Sequence, residues 1–99
     1  MDLAKEIRRT VDTGEVSFGY KSCKKSLLKG EGKLIIISNN VPKLEKETIL
    51  HLANISKKGV VEFELNGLKL GSVCGKPFGI STMIVINEGK SNILEAIKK

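Results

Sequence analysis

Between Val16 and Gly30 the chain has no acidic residue, and it carries Lys21, Lys24, Lys25 and Lys29 just after Gly19. That arrangement has a chemical use. A glycine lets the backbone come close to a ligand, and the free N–H groups at a helix N-terminus attract phosphate. Lysines at i and i+4 then line one side of the helix as a phosphate track. The same spacing also describes a solvated lysine face on an amphipathic helix, and the charges alone are compatible with both. A second feature is Gly75-Lys76-Pro77-Phe78-Gly79. A large apolar residue on such a loop either packs inward against its own core or meets a ligand. Gly75-Lys76 is not a phosphate-cradling P-loop, since the upstream glycine spacing and the following Ser/Thr are missing.

Other residues capable of chemistry are scattered. Cys23 and Cys74 form no CxxC pair and read as reduced, apolar thiols of a cytosolic protein. His51 is the single histidine and lies in a helical pattern, so neither a metal centre nor a catalytic triad is expected. Glu62 and Glu64 alternate along a strand pattern and face solvent together rather than working as an acid–base pair. No HExxH or GxSxG sequence is present. The expectation is a non-catalytic protein with no cofactor and no metal.

The chain must bring these pieces together with 99 residues, enough for one domain spanning 1–99. At 40% hydrophobic and 28% charged its composition is that of a globular protein. The longest apolar runs, Leu34–Ile37 and Met83–Ile86, fall far short of the ~20 residues that span a bilayer. MDLAKEIRR has no apolar stretch of signal-peptide length behind it, so a soluble, unsecreted protein without a membrane partner is expected. Seventeen Lys and Arg against eleven Asp and Glu give +6, which points to a polyanionic partner, most often nucleic acid. Three Phe, one Tyr and no Trp give no platform for stacking successive bases. An RNA ligand would therefore be recognised through backbone, polar side chains and shape.

The periodicity alternates between helix and strand. Asp2 precedes the helical stripe Leu3, Ala4, Ile7 and Val11, with Gly14 closing it. Val16 and Phe18 make a short strand ending at Gly19, and Tyr20, Cys23 and Leu27 share the inner face of a helix running to Lys29. Leu34–Ile37 has no polar alternation and reads as a central strand covered on both faces. Pro42 suits the first turn of a helix that turns Leu44, Ile49, Leu52, Ala53 and Ile55 inward and ends at Gly59. Val61, Phe63 and Leu65 form a strand with one wet face or an edge position. Ile80 and Met83–Ile86 form another, and Ser91 can cap a last helix holding Ile93, Leu94 and Ile97. Asn66-Gly67 is a hairpin signal by local rules, against a short helix through Leu70, Val73 and Cys74. The order implies an α/β fold with helices on both faces of a mixed sheet of about four strands.

TGEVSFGYKSCKKSLLKG, then KLIIISNNVP, then LGSVCGKPFGIS closely resembles the small archaeal and eukaryotic large-subunit ribosomal proteins of the kink-turn RNA-binding superfamily. The resemblance runs from about Leu3 to Leu94, and its order and spacing are specific where each short piece is weak. It implies a three-layer α-β-α sandwich around a mixed four-stranded sheet, with a site made by loops at one end. Gly19, Tyr20, Lys21 and Ser22 would enter the kink, Lys24 and Lys25 would continue along phosphates, and Asn40 would supply a polar contact. Phe78 and Ile80 would cover bases extruded at the bend. Lys21-Ser22 replaces the Asn-Glu of other kink-turn binders, and Glu45 stands where some relatives are basic, which leaves Lys46 as the neighbouring candidate. The resemblance also favours the helix over the hairpin after Asn66. It implies a structural constituent of the large ribosomal subunit, in the cytoplasm, whose partners are kink-turn rRNA and other ribosomal components, and which is a monomer when free. The rival within the superfamily is a protein of a small RNA-guided modification particle. A rival of another class is a small α/β enzyme or metabolite-binding domain.

Overall fold

The computed structural model describes residues 3–39, 41–62, 67–91 and 93–94. Eight elements follow one another: α1 (Leu3–Thr13), β1 (Glu15–Phe18), α2 (Tyr20–Leu28), β2 (Leu34–Ile37), α3 (Lys43–Ser56), β3 (Gly59–Glu62), α4 (Gly67–Val73) and β4 (Thr82–Asn87). The strands form one mixed sheet in the order β1-β4-β2-β3. β4 is antiparallel to both β1 and β2, whereas β2 and β3 are parallel, joined by the α3 crossover that a parallel pair requires.

The two-residue period of the strands divides the core. Leu34, Ile36, Met83 and Val85 point to one face, where Ile7 of α1 and Leu70 of α4 meet them together with Cys74, Ile80 and Ile93. Ile35, Ile37 and Ile84 point to the other, against Cys23 and Leu27 of α2 and Ile49 and Ala53 of α3. The result is an α-β-α sandwich. All four residues of β2 are fully buried, as expected for a central strand with helices on both sides. β3 is an edge strand, and its expected continuation through Phe63 and Leu65 lies outside the described residues.

Several local expectations need correction. Leu44 and Ile55 are 78% and 63% exposed. At ~100° per residue they lie roughly 140° and 120° around α3 from the buried Ile49, so they cannot share its inner face. Pro42 is the N-cap residue of α3 rather than part of its first turn, and the helix ends at Ser56 with Lys57 in the left-handed region (φ 58°). Gly59 instead opens β3. After Asn66 the helix implied by the resemblance forms, as α4, and not the competing hairpin of the local rules, because a helix there buries Leu70 and Cys74 beside Ile7. Ile80 precedes β4 and is not part of it. Caps at Asp2 and the helical continuation through Ile97 lie outside the described residues, while Ile93 is fully buried and Ser91 Oγ lies 2.6 Å from Thr10 Oγ1.

Candidate nucleic-acid interface

Strand register decides which loops meet. Phe18 at the end of β1 pairs with Met83, while Ile37 at the end of β2 pairs with both Thr82 and Glu62. The loops after β1 and β2, the last residue of β3 and the segment leading into β4 therefore gather at one end of the sheet. Backbone hydrogen bonds tie them there. Gly19 N–H donates to the Thr82 carbonyl (2.8 Å), and Ser38 N–H donates to the Ser81 carbonyl (2.9 Å).

Gly19 is the N-cap of α2 at φ 96°, ψ 151°, a backbone state that L side chains rarely adopt. No atom lies within 4 Å of where a Cβ would sit, so the surface in front of it is open. Cys23 N–H is bonded to the Gly19 carbonyl (3.1 Å) and closes the first turn. The N–H groups of Tyr20, Lys21 and Ser22 precede that bond, and Gly19 has no side chain to cap them. The first turn also has no acidic residue. This leaves a helix terminus with partial positive charge beside exposed Lys21, Ser22, Lys24 and Lys25. Tyr20, half-buried, anchors the turn against the core shared by α2 and α3.

Along the outer side of α2 runs an open depression of about 460 Å³ lined by Tyr20, Lys21, Lys24, Lys25, Leu28 and Lys29. Leu28, 66% exposed, was not singled out by the sequence. Its signal was available: four residues after Lys24, it belongs to the lysine face rather than to the face of Leu27.

Phe78 is 54% exposed at the same end. Its loop is held by α4, where the backbone crosses Gly71 so closely that a Cβ there would lie 1.9 Å from the Phe78 carbonyl oxygen. Lys76 sits over the Phe18 ring at 5.3 Å from its centroid, a cation–π contact that ties this loop to β1. Ile80 differs in kind: it is 3% exposed and packed with Ile7, Leu34 and Met83, so its side chain supports the loop from inside. Asn40 lies outside the described residues, although the neighbouring Ser38 is buried and fixed to Ser81. Lys46 is half-buried near the start of α3 and is ion-paired to Glu62. Among the described residues Lys21, Lys24 and Lys25 have no such partner.

The described residues hold no cluster of three or more His, Cys, Asp or Glu side chains able to bind a metal, and no helix among them is long and apolar enough to cross a membrane. An open basic helix start, an exposed aromatic and tied loops thus share one end of the sheet, and their chemistry suits an extended anion with unstacked rings.

Comparison with known proteins gives the family. Residues 1–95 match the Ribosomal protein L7Ae/L30e/S12e/Gadd45 family, and the chain belongs to it. Large ribosomal subunit protein eL30 of Methanocaldococcus jannaschii is 42% identical over 99 residues, covering 100% of this chain and 90% of that one. Its counterpart in Methanothermobacter thermautotrophicus is 41% identical over 97 residues, 98% of this chain and 99% of that one. Both relatives are named as proteins of the large ribosomal subunit. A solved structure of a protein of unknown function from Bacillus halodurans C superposes with a TM-score of 0.83 at 19% identity, covering 97% of this chain and 95% of that one, which shows the shared fold.

Proposed function

We propose that this chain is a structural constituent of the large ribosomal subunit, a single RNA-binding domain over residues 1–99 that binds and stabilises kink-turn rRNA in the cytoplasm. The full-length similarity to eL30 proteins supports the ribosomal assignment. The observation that carries the RNA reading is the uncapped, acid-free start of α2 behind Gly19, at the same sheet end as exposed Phe78.

In this reading the first-turn N–H groups and Lys21 meet phosphate at the bend, with Lys24 and Lys25 continuing along the backbone. Ser22 and Asn40 contact exposed base edges, and Phe78 covers an unstacked base. Ile80 acts from beneath Phe78, and Lys46, ion-paired to Glu62, is the weaker candidate at the rim. Binding only the bent conformation shifts the RNA towards it by mass action. The free protein acts as a monomer and requires no cofactor.

A calorimetric titration with a kink-turn oligonucleotide and a straight duplex of equal length tests this. Wild type should prefer the kink-turn. Lys21→Glu should lose at least about tenfold in affinity, whereas Lys90→Glu, whose residue lies in the turn after β4 at the opposite sheet end, should change little. Equal affinity for both RNAs, or equal effects of both variants, would sink the reading.

A further inference from the structure

Glu62 is out of character at this end of the molecule. It closes β3 in register with Ile37, so it stands where the loop after β2 departs. Its side chain is 60% exposed, and a carboxylate at the rim of an RNA surface repels the ligand. Its partner is Lys46, whose backbone N–H donates to the Pro42 carbonyl (2.9 Å) and so fixes that lysine beside the same loop.

We propose that Glu62 is a restraining counter-charge: it holds Lys46 out of phosphate contact and thereby limits the shape-independent part of RNA affinity. This rests on the RNA-binding reading above. The Lys46 side chain is 40% exposed, so the pair is in contact with water, weak and exchangeable. A phosphate can compete for Lys46, but the exchange leaves Glu62 uncompensated beside a polyanion. While Lys46 stays on Glu62 it neutralises no phosphate and releases no cation from the RNA. Lys21, Lys24 and Lys25, without carboxylate partners among the described residues, release ions in full. The surface therefore has free cations where the α2 face meets RNA and a restrained one at the β3 edge.

Glu62→Gln removes the carboxylate and keeps the size. It should tighten binding to kink-turn and straight-duplex RNA alike, by about threefold at low salt, and steepen the plot of log affinity against log salt by ~0.7–0.9. Glu62→Asp, which retains the charge, should keep the wild-type slope. In a Lys46→Met background Glu62→Gln should lose most of its gain, and thermal melts should show each variant folded before titration. An unchanged or shallower slope, weaker binding, or a full gain without Lys46 overturns the proposal, whatever RNA the wild type prefers. Equal wild-type affinity for the two RNAs overturns the kink-turn reading instead and leaves the Glu62 effect measurable on either.

Discussion

Cys23 and Cys74 show how far a residue's chemistry is set by where the fold puts it. Both are buried, and burial pushes the Cys23 thiol up to about 12 and the Cys74 thiol to about 11, the latter against a downward pull from Lys76 and Arg8. The thiolate is the reactive form, so neither residue is a nucleophile near neutral pH. A chromogenic disulfide reagent at pH 8 should titrate no thiol in the folded protein and both after denaturation; a fast native reaction would contradict the burial. Because both folded values lie above the ordinary 9.0, stability from the neutral thiols is full below pH 9 and is lost as pH rises towards 11–12. Phe78 presents the opposite case, a large ring left in water. Phe78→Ala should cost roughly 1–3 kcal/mol of RNA affinity if the ring stacks on a base. Unchanged affinity with a lowered melting temperature would assign Phe78 to the core instead.

At the scale of elements, what the sequence revealed depended on how far each signal reached. β2 was legible from four residues because burial on both faces leaves an unbroken apolar run. The inner face of α2 was legible because Cys23 and Leu27 repeat at helical spacing. α3 was only half legible, since counting apolar residues recruited Leu44 and Ile55 although angle excludes them. α4 defeated local reasoning because the tertiary contacts of Leu70 and Cys74 outweigh the turn preference of Asn-Gly. The chemical types at the site were visible in the residues, but its assembly was legible only through the family resemblance: the Gly19–Thr82 and Ser38–Ser81 bonds join positions more than forty residues apart in sequence. Gly71 belongs to the same category. Alanine there gains helix propensity of about 1 kcal/mol but drives its Cβ into the Phe78 carbonyl. Gly71→Ala should therefore destabilise by about 1–3 kcal/mol in denaturant melts and weaken RNA binding by displacing the Phe78 loop. A more stable variant with unchanged affinity would show that the loop position is not held by this crossing.

For the molecule as a whole, the +6 charge matters less as a total than through the lysines it places on α2 behind Gly19. The two backbone bonds that tie Gly19 to Thr82 and Ser38 to Ser81 exist in the free protein, so in the proposed reading the described part of the RNA surface is formed before binding. A ligand that binds the folded chain and not the unfolded one stabilises it by mass action, about 2.7 kcal/mol at a hundredfold excess over Kd. For a domain of this size that corresponds to a rise in Tm of roughly 10–20 °C. Kink-turn RNA should give this shift with little change in the protein's helical circular dichroism, because α1–α4 are already formed in the free chain. A straight duplex at the same concentration should give much less, and raising salt towards ~0.5 M should remove most of the kink-turn shift. A large gain in helicity on binding would mean that the RNA orders a surface the free chain lacks. A salt-independent shift would mean that the lysines after Gly19 are not where the phosphates lie.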